Sequence, residues 1–535
     1  MTDPFKPRTD SPIVDAVRNA YRLGQEDEAL EPIIAVDEKD QPIGRFQDGD
    51  YVIFYDIRGE REIEITQSLI DKDFSHFHAE KNLHPHFVTM IEYSSKLDVK
   101  VAFPPEEKIR NTLTEVLSRQ GFRSAKIAES EKAVHVGYFM NGKRENPFPN
   151  EERIVVPSPE GIDSYALCPE MSVSQVSQEI INKLQDPSCR VIIANFANVD
   201  VVGHIENEAA VKKAVEAVDR ELKRVFDSCL KEKVTMLVTA DHGTVEQWFY
   251  PDGAIDTGHT RNPVPFIVID PSAKGSGKYI LREGGSLIDI APTVLELLDL
   301  QKPEEMNGES LLRSVPEEIE QERRILLLIL DGWGIRDEKE GNLIMAAHTP
   351  NFDILWNEYP HTLLEASGEA VGMPAGSVGN SEAGHLHIGA GRRIYLDRVK
   401  IDRSIEDGSF YQNDAFLWAM ENAKKEDKSL HLLGIVSFYS SHGSINHLFA
   451  LIRLAEQIGV SKVFIHALLG RRGEKPESGA IYVDKVVKMC EEIGIGKVVT
   501  IIGRFWALDR EDNWDRIEKT YSALVYGTGS HVINP

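Results

Sequence analysis

Cysteine is scarce: Cys168, Cys189, Cys229 and Cys490 stand far apart and form no CxxC pair. Neither a disulfide framework nor a thiolate zinc site is therefore indicated, and a reducing cytoplasm is the expected setting. Basic residues are outnumbered, 60 Lys and Arg against 86 Asp and Glu, for a formal charge of -26. Such a balance argues against a nucleic-acid surface, because phosphate backbones select basic faces. Any anionic substrate must then be held by a local cationic cluster. No apolar run approaches the roughly 20 residues of a membrane span, and Met1 to Pro12 is polar and proline-bearing, so neither targeting nor anchoring is expected. No internal repeat or low-complexity tract stands out.

The 535 residues exceed the size at which one hydrophobic core keeps growing, so two domains are expected. From Ile13 to Leu300 helical periods alternate with short apolar runs: Val14 to Arg22, Gly49 to Tyr55, Lys108 to Arg119, Val173 to Leu184 and Ala209 to Leu230. That alternation predicts an α/β fold. Ala209 to Leu230 has apolar residues at helical spacing and reads as a scaffold helix covering a sheet. Ser286 to Leu298 reads as another helix, and the acidic, polar stretch Leu311 to Arg324 as a surface connector. A second alternating stretch follows, with strands predicted over Leu430 to Val436, Ser461 to Leu468 and Lys497 to Gly503. Helices are predicted over Ala450 to Ile458 and Val483 to Ile493, and Tyr526 to Pro535 as a glycine-bearing loop.

Four segments that end apolar runs, or follow them closely, carry the chemistry. Leu326-Leu-Leu-Ile-Leu330 runs into Asp331-Gly-Trp-Gly334, and Arg190-Val-Ile-Ile-Ala194 into Asn198, Asp200 and His204. Val234 to Thr239 runs into Asp241-His242-Gly243, with His259 beyond it, and Ser381 stands in Gly379-Asn380-Ser381-Glu382-Ala383-Gly384-His385. Open α/β sheets gather ligands at the carboxyl edges of their strands, so these segments are expected on one edge. Asp200 and His204, four apart, would share a helix face, and Gly243 would let the chain turn to present both Asp241 and His242. Imidazoles mixed with carboxylates suit manganese or zinc better than calcium or magnesium. A serine hydroxyl is scarcely ionised near neutrality, and a divalent cation on its oxygen would stabilise the alkoxide. Ser381 also precedes a predicted helix start, where backbone N–H groups attract a phosphoryl group.

Cationic candidates stand beside other strand ends. Arg58 and Arg61 flank a turn after the run ending at Tyr55, Arg504 and Arg510 follow the run ending near Gly503, and Lys132 lies in Glu129-Ser-Glu-Lys132. Paired guanidinium groups suit forked binding of phosphate and carboxylate.

Together the motifs DGWG at 331, GNSEAGH at 379, GRFWALDRED at 503, ESEKAVHV at 129, NFANVDVVGH at 195, ADHG at 240 and HTRNPVPF at 259 resemble those of the cofactor-independent (2,3-bisphosphoglycerate-independent) phosphoglycerate mutases, within the alkaline phosphatase superfamily. The resemblance covers nearly the whole chain, but in a different order. The family starts with the DGWG strand and finishes with the equivalent of Asn307-Gly-Glu-Ser310, which here precedes it. A circular permutant is therefore expected, with Leu311 to Arg324 joining the old ends and new ends between Gly529 and Asp10. Its implied architecture is a contiguous alkaline-phosphatase-like, parallel-sheet metal domain over 106–395. A smaller α/β phosphotransferase-like domain would be assembled from 1–105 and 396–535.

The resemblance implies that Asp200, His204 and His259 bind one metal and that Asp331, Ser381, Asp241 and His242 bind the other. Manganese is expected first, with zinc or cobalt as alternatives, and no 2,3-bisphosphoglycerate is required. Arg58, Arg61, Lys132, His442, Arg472, Arg504 and Arg510 match positions that contact phosphoglycerate. The implied reaction, in glycolysis and gluconeogenesis, passes a phosphoryl group to Ser381 and back, interconverting 3-phosphoglycerate and 2-phosphoglycerate in a cytoplasmic monomer. Two runs depart from the family. Phe438-Tyr-Ser-Ser-His442-Gly-Ser444 replaces Asp-Gly-Gly-Val-His-Ser-His, and Arg471-Arg472-Gly473 replaces Gly-Arg-Asp, losing a carboxylate for which Glu474 is a candidate substitute. A metal-dependent phosphomonoesterase, or a mutase of another phosphorylated acid, would account for those departures, and a non-catalytic binding protein is the third reading.

Overall fold

Ile325–Leu330 is apolar at every position, and all six side chains are fully buried. A strand covered on both faces reads as such a continuous run, and parallel sheets between helix layers require it. In this computed structural model, which describes residues 11–105, 109–271, 279–314, 323–437, 442–470 and 477–533, that strand lies at the centre of an eight-stranded sheet. Cys189–Phe196 and Thr235–Thr239 flank it in parallel, with Leu330 opposite Phe196 and Ile329 opposite Thr239. Arg123–Glu129 and Glu151–Val156 extend the parallel set beyond Cys189–Phe196. On the other side Val264–Ile269 and His361–Glu365 join by antiparallel pairings, and Gly285–Ser286 closes that edge.

This sheet belongs to a compact unit, Glu106–Leu396. Its longest helix, Glu208–Glu232, buries Val211, Val215, Val218, Leu222 and Val225 along one stripe. It starts where the Asn207 side chain accepts the Ala210 N–H and ends where Lys233 adopts a left-handed conformation.

The second unit combines Met1–Pro105 with Asp397–Pro535. Six of its strands, Lys100–Phe103, His86–Ile91, Tyr51–Phe54, Leu430–Ile435, Val463–Leu469 and Lys497–Gly503, run in parallel in that order. Ile33–Val36 adds antiparallel to Lys497–Gly503, and Ser530–Ile533 completes the sheet beside it. The first and last parts of the sequence therefore interleave in one sheet. Among the described residues no helix is long and apolar enough to cross a membrane.

Several elements differ from the sequence reading: the helix Gly479–Ile493 starts before the predicted Val483, and Leu113–Arg119 starts after Lys108. Ser530–Ile533, read as loop, is an edge strand; its side chains are mostly exposed, so it lacks an apolar signal and is held by pairing with Ile33–Val36. Ile445–Ile458 starts before the predicted Ala450 because the Ser444 side chain accepts the Asn446 N–H. The connector Leu311 to Arg324 is anchored at both ends rather than lying wholly on the surface. Leu311 is buried, Leu312–Ser314 pairs with Ile280–Leu281, and the Arg324 guanidinium donates to the carbonyls of Lys183, Leu184, Asp186 and Cys189. Residues 315–322 lie outside the described ones.

Leu327, at the middle of the central strand and fully buried, tests this core. Leu327→Ala is expected to destabilise its unit by about 2–5 kcal/mol, read as a lowered midpoint in a urea titration; an unchanged midpoint would contradict the packing described.

Candidate active site

The central strand and its two neighbours end level with one another, and each is followed by a carboxylate. Asp331 comes directly after Leu330, Asp241 two residues after Thr239, and Asp200 on the short helix Asn198–Gly203 that follows Phe196. All three carboxyl groups are buried. A fourth chain segment, Ser130–Val134 after the strand Arg123–Glu129, brings in Lys132. Its Nζ donates to Asp200 Oδ2 at 2.6 Å, Asp331 Oδ1 at 2.7 Å and Ser381 Oγ at 2.7 Å. Burial alone would lower the Lys132 pKa, but Asp331, Asp200 and Asp241 outweigh it and hold the group well above its usual value.

Ser381 is the first residue of the helix Ser381–Ala390, which Asn380 caps by accepting the Ala383 N–H at 2.8 Å. Its Oγ lies 2.9 Å from His242 Nε2 and 3.4 Å from Asp331 Oδ1. The helix approaches Asp241 closely because Gly384 has no side chain. A Cβ there would stand 2.6 Å from the Asp241 carbonyl oxygen and 2.8 Å from its Cβ. Gly243 matters for a reason other than the turn read from sequence: a Cβ there would strike the Glu246 carboxylate and the Thr260 hydroxyl, both of which pack beneath the Asp241-His242 corner.

The imidazoles reveal what the site is built to hold. His204 Nδ1 faces the Thr257 carbonyl oxygen at 2.7 Å and His259 Nδ1 that of Gly379 at 2.9 Å. A carbonyl only accepts, so in each neutral ring the hydrogen is on Nδ1 and Nε2 carries a lone pair. Those two Nε2 atoms are 3.2 Å apart and lie 3.4 and 3.1 Å from Asp200 Oδ1. With both rings neutral, three acceptors face one another, an arrangement that a shared cation satisfies; without one, Asp200 holds the His204 and His259 pKa values up against burial. Asp200 and His242 with His259, and Asp241 and Asp331 with His385, form two clusters whose ligating atoms lie within 4.8 Å of one another. Asp241 Oδ2 accepts no hydrogen bond among the described residues. The donor set fits divalent cations that take mixed nitrogen and oxygen ligands.

Charge in the centre is uneven. Burial would raise the Asp200 and Asp241 pKa values, but Lys132 and the neighbouring imidazoles outweigh it and hold both carboxyls below the usual range. Asp331 is held up, by burial first and then by Asp241.

The eight sequence candidates Lys132, Asp200, His204, Asp241, His242, His259, Asp331 and Ser381 thus meet in one place. His385 joins them without having been singled out. It sits four residues after Ser381 on the same helix, its Nδ1 facing the Ser381 carbonyl at 2.9 Å and Asp241 Oδ2 at 3.3 Å. Asn195 opens the motif NFANVDVVGH but was given no role, yet it donates to Asp331 Oδ2 at 2.6 Å and faces His385 Nε2 at 3.1 Å. The spacing from serine to histidine within GNSEAGH was the signal for the first; only its place in that motif marked the second.

The remaining candidates lie in the other unit. Arg58 and Arg510 share Glu60, at 3.5 and 2.7 Å, and Arg504 meets Glu28 at 3.0 Å. Arg61 donates to the Leu508 carbonyl at 3.3 Å, and His442 Nδ1 lies 2.6 Å from Glu62 Oε1. Arg472 and Glu474 fall outside the described residues, as do residues 438–441 of the altered run.

A parallel sheet whose carboxyl edge gathers acids, imidazoles and a helix-borne serine defines a metal-dependent class of α/β protein. The chain belongs to the Metalloenzyme superfamily, whose profile matches residues 33–302, half of the 535. A second profile, BPG-independent PGAM N-terminus (iPGM_N), matches residues 401–534. A 2,3-bisphosphoglycerate-independent phosphoglycerate mutase 1 of Methanosarcina barkeri is 50% identical over 207 residues, 39% of this chain and 40% of its own. A 2,3-bisphosphoglycerate-independent phosphoglycerate mutase of Clostridium perfringens is 41% identical over 304 residues, 56% of this chain and 58% of its own. The chain spans about half the length of the curated relatives it matches. A solved structure of Leishmania mexicana phosphoglycerate mutase at low cobalt concentration is 28% identical over 52% of this chain and 53% of its own, with a TM-score of 0.36.

Gly384→Ala is expected to push the serine helix away from Asp241. The folded protein should keep its secondary structure, but a phosphonate or vanadate probe should reach Ser381 with at least tenfold weaker affinity; unchanged affinity would deny the close approach its role.

Proposed function

We propose that the protein is a cofactor-independent phosphoglycerate mutase that interconverts 3-phosphoglycerate and 2-phosphoglycerate through a phosphoserine at Ser381. One observation carries the reading: a serine at a helix start, 2.7 Å from Lys132 Nζ and 2.9 Å from His242 Nε2, beside two clusters of metal-ligating groups. Asp200, His204 and His259 would hold one divalent metal, and Asp241, His242, Asp331 and Ser381 the other. Manganese is the expected ion, with zinc or cobalt as alternatives. Bound there, the metals supply an ionised serine hydroxyl and neutralise phosphoryl charge. Lys132 holds the serine oxygen in place, and the backbone N–H groups opening the helix Ser381–Ala390 orient the phosphoryl oxygens. Arg58, Arg61, His442, Arg472, Arg504 and Arg510 would bind the acid and its phosphate.

The profile described as an N-terminus matches residues 401–534, after the Metalloenzyme match at 33–302. That order supports a circular permutation, in which 106–395 is the metal domain and 1–105 with 396–535 the phosphotransferase-like domain. The four unpaired cysteines support a cytoplasmic setting. The altered runs at 438–444 and 471–474 favour one second reading, a phosphomonoesterase or a mutase of another phosphorylated acid.

An enolase-coupled assay with 3-phosphoglycerate and manganese but no bisphosphoglycerate, run beside a generic phosphatase assay, separates the two. Mutase activity is expected, and Ser381→Ala should abolish it together with any acid-stable phosphoenzyme; activity surviving in that variant would remove Ser381 as nucleophile. Manganese added to metal-free protein should raise the Tm by mass action, and His259→Ala should shrink the rise. An identical rise in the variant would exclude His259 as a ligand.

A further inference from the structure

Asp56, Glu62 and His442 make a second buried cluster, in the unit formed by Met1–Pro105 and Asp397–Pro535. Asp56 follows the strand Tyr51–Phe54, Glu62 caps the helix Ile63–Ile70, and His442 precedes Ile445–Ile458. Glu62 Oε1 lies 2.6 Å from His442 Nδ1, while Glu62 Oε2 accepts the Arg61 N–H at 3.0 Å. Asp56 Oδ1 accepts the Ile435 N–H at 2.8 Å. Its Oδ2 accepts no hydrogen bond among the described residues, although Asp56 stands within hydrogen-bonding reach of Glu62. Two carboxyl groups that close together and fully buried repel strongly when both are ionised, and burial outweighs the attraction of His442 for Asp56 and of Arg58 and Arg61 for Glu62. A proton between them satisfies the orphaned oxygen and removes the repulsion.

We propose that Asp56, Glu62 and His442 form a proton relay, in which the imidazole exchanges a proton with the hydroxyl of the bound acid and Glu62 backs it. The proposal rests on the mutase reading for the identity of that acid. It supplies what Arg471-Arg472-Gly473 lacks, a carboxylate serving the substrate hydroxyl. In the step, the substrate O–H proton passes to the imidazole as the hydroxyl oxygen bonds to phosphorus and the bond from phosphorus to Ser381 Oγ breaks, leaving the electron pair on the serine oxygen, and the Nδ1 hydrogen passes to Glu62 Oε1. In the reverse step both return, so no proton is gained or lost over a cycle. His442 touches the substrate; Glu62 and Asp56 are positioning residues.

The surroundings suit that task. Burial pushes Glu62 up to about 8, against the pull of Arg58 and Arg61. Burial also raises Asp56 well above its usual range, Glu62 adding to it. His442 is pushed down to about 4, by burial first and by Arg504, Arg58 and Arg61 against the attraction of Asp56. Also beside the cluster are the hydroxyls of Tyr55, which donates to the Ile435 carbonyl, and Tyr93, which donates to those of Phe54 and Asp56. A neutral ring beside a carboxyl that changes charge near pH 8 is poised to take a proton and give it back.

Glu62→Gln, in the full chain, keeps the shape and removes the exchange. The wild-type isomerisation rate should fall as pH drops through about 8, where Glu62 gains its proton. The variant should lose that inflection and about 100-fold in rate, in forming phosphoserine at Ser381 as well as in discharging it. A variant with the wild-type rate and pH profile overturns the relay. Infrared difference spectra of the wild type need neither substrate nor variant. A protonated-carboxyl band that vanishes with a midpoint near pH 8 supports the relay even if no isomerase activity is found, in which case the mutase reading alone fails. Absence of the band overturns the relay. So does a third manganese per chain that Glu62→Gln removes, because these side chains would then hold a cation rather than a proton.

Discussion

Asp200, Asp241 and Asp331 are buried side by side, and that crowding of like charge is the constraint on which the rest of the metal-domain unit depends. Two unit charges 4 Å apart repel by roughly 4 kcal/mol at the effective dielectric typical of proteins, and desolvation adds to it. Lys132 offsets one charge. Cations from outside the chain would offset the rest, and His204 and His259, tethered through Nδ1 to carbonyls, turn their Nε2 atoms toward Asp200 in the manner of ligands. Gly384 and Gly243 follow from the same demand, because neither the serine helix nor the floor of the Asp241-His242 corner can give way to a methyl group. A site that tolerates so little displacement is built to bind charge rather than to be stable without it.

Much of this was legible from sequence because parallel sheets write their functional edge in a simple form. Ile325–Leu330 is an unbroken apolar run, and the residue that ends it is an aspartate. The same holds, one or a few residues on, for Thr235–Thr239 and Cys189–Phe196. What stayed hidden depends on three-dimensional contact. Asn195 is the seventh residue of an eight-residue strand, and its amide reaches Asp331 only because two strands lie in register. Lys132 reads as one charge in a charged segment, and its place among three carboxylates appears only when Arg123–Glu129 is set two strands from the centre. Ser530–Ile533 has no apolar period at all; its partner strand makes it a strand.

The other unit uses the same edge with the opposite sign. Arg58 follows Tyr51–Phe54 and Arg504 follows Lys497–Gly503, but these guanidinium groups are paired with Glu60 and Glu28, which are about half exposed. Exposed pairs of that kind contribute about 0–1 kcal/mol, so a small polyanion displaces them at little cost. Burial would have the reverse effect, locking each arginine to one carboxylate. Under the proposed function the contrast has a use: permanent charge is concentrated where ions would stay, and exchangeable charge where a substrate would enter and leave.

Sheet order in that unit is indifferent to chain order. Tyr51–Phe54 pairs with Leu430–Ile435 and Ile33–Val36 with Lys497–Gly503, so strands from the two halves of the sequence meet as neighbours. Each pairing is fixed by side chains that are buried on both faces, since a slip of one residue would drive Ile53 or Leu432 out of the core. The cluster of Asp56, Glu62 and His442 lies where that interleaving brings the two halves together, Asp56 accepting the Ile435 N–H and Ile57 donating its own to the His442 carbonyl. A polar group shared between two distant stretches of sequence is satisfied only when both are in register. The buried carboxyls that hold a proton therefore also report that the sheet has closed correctly, which ties the chemistry of this unit to the pairing of its strands.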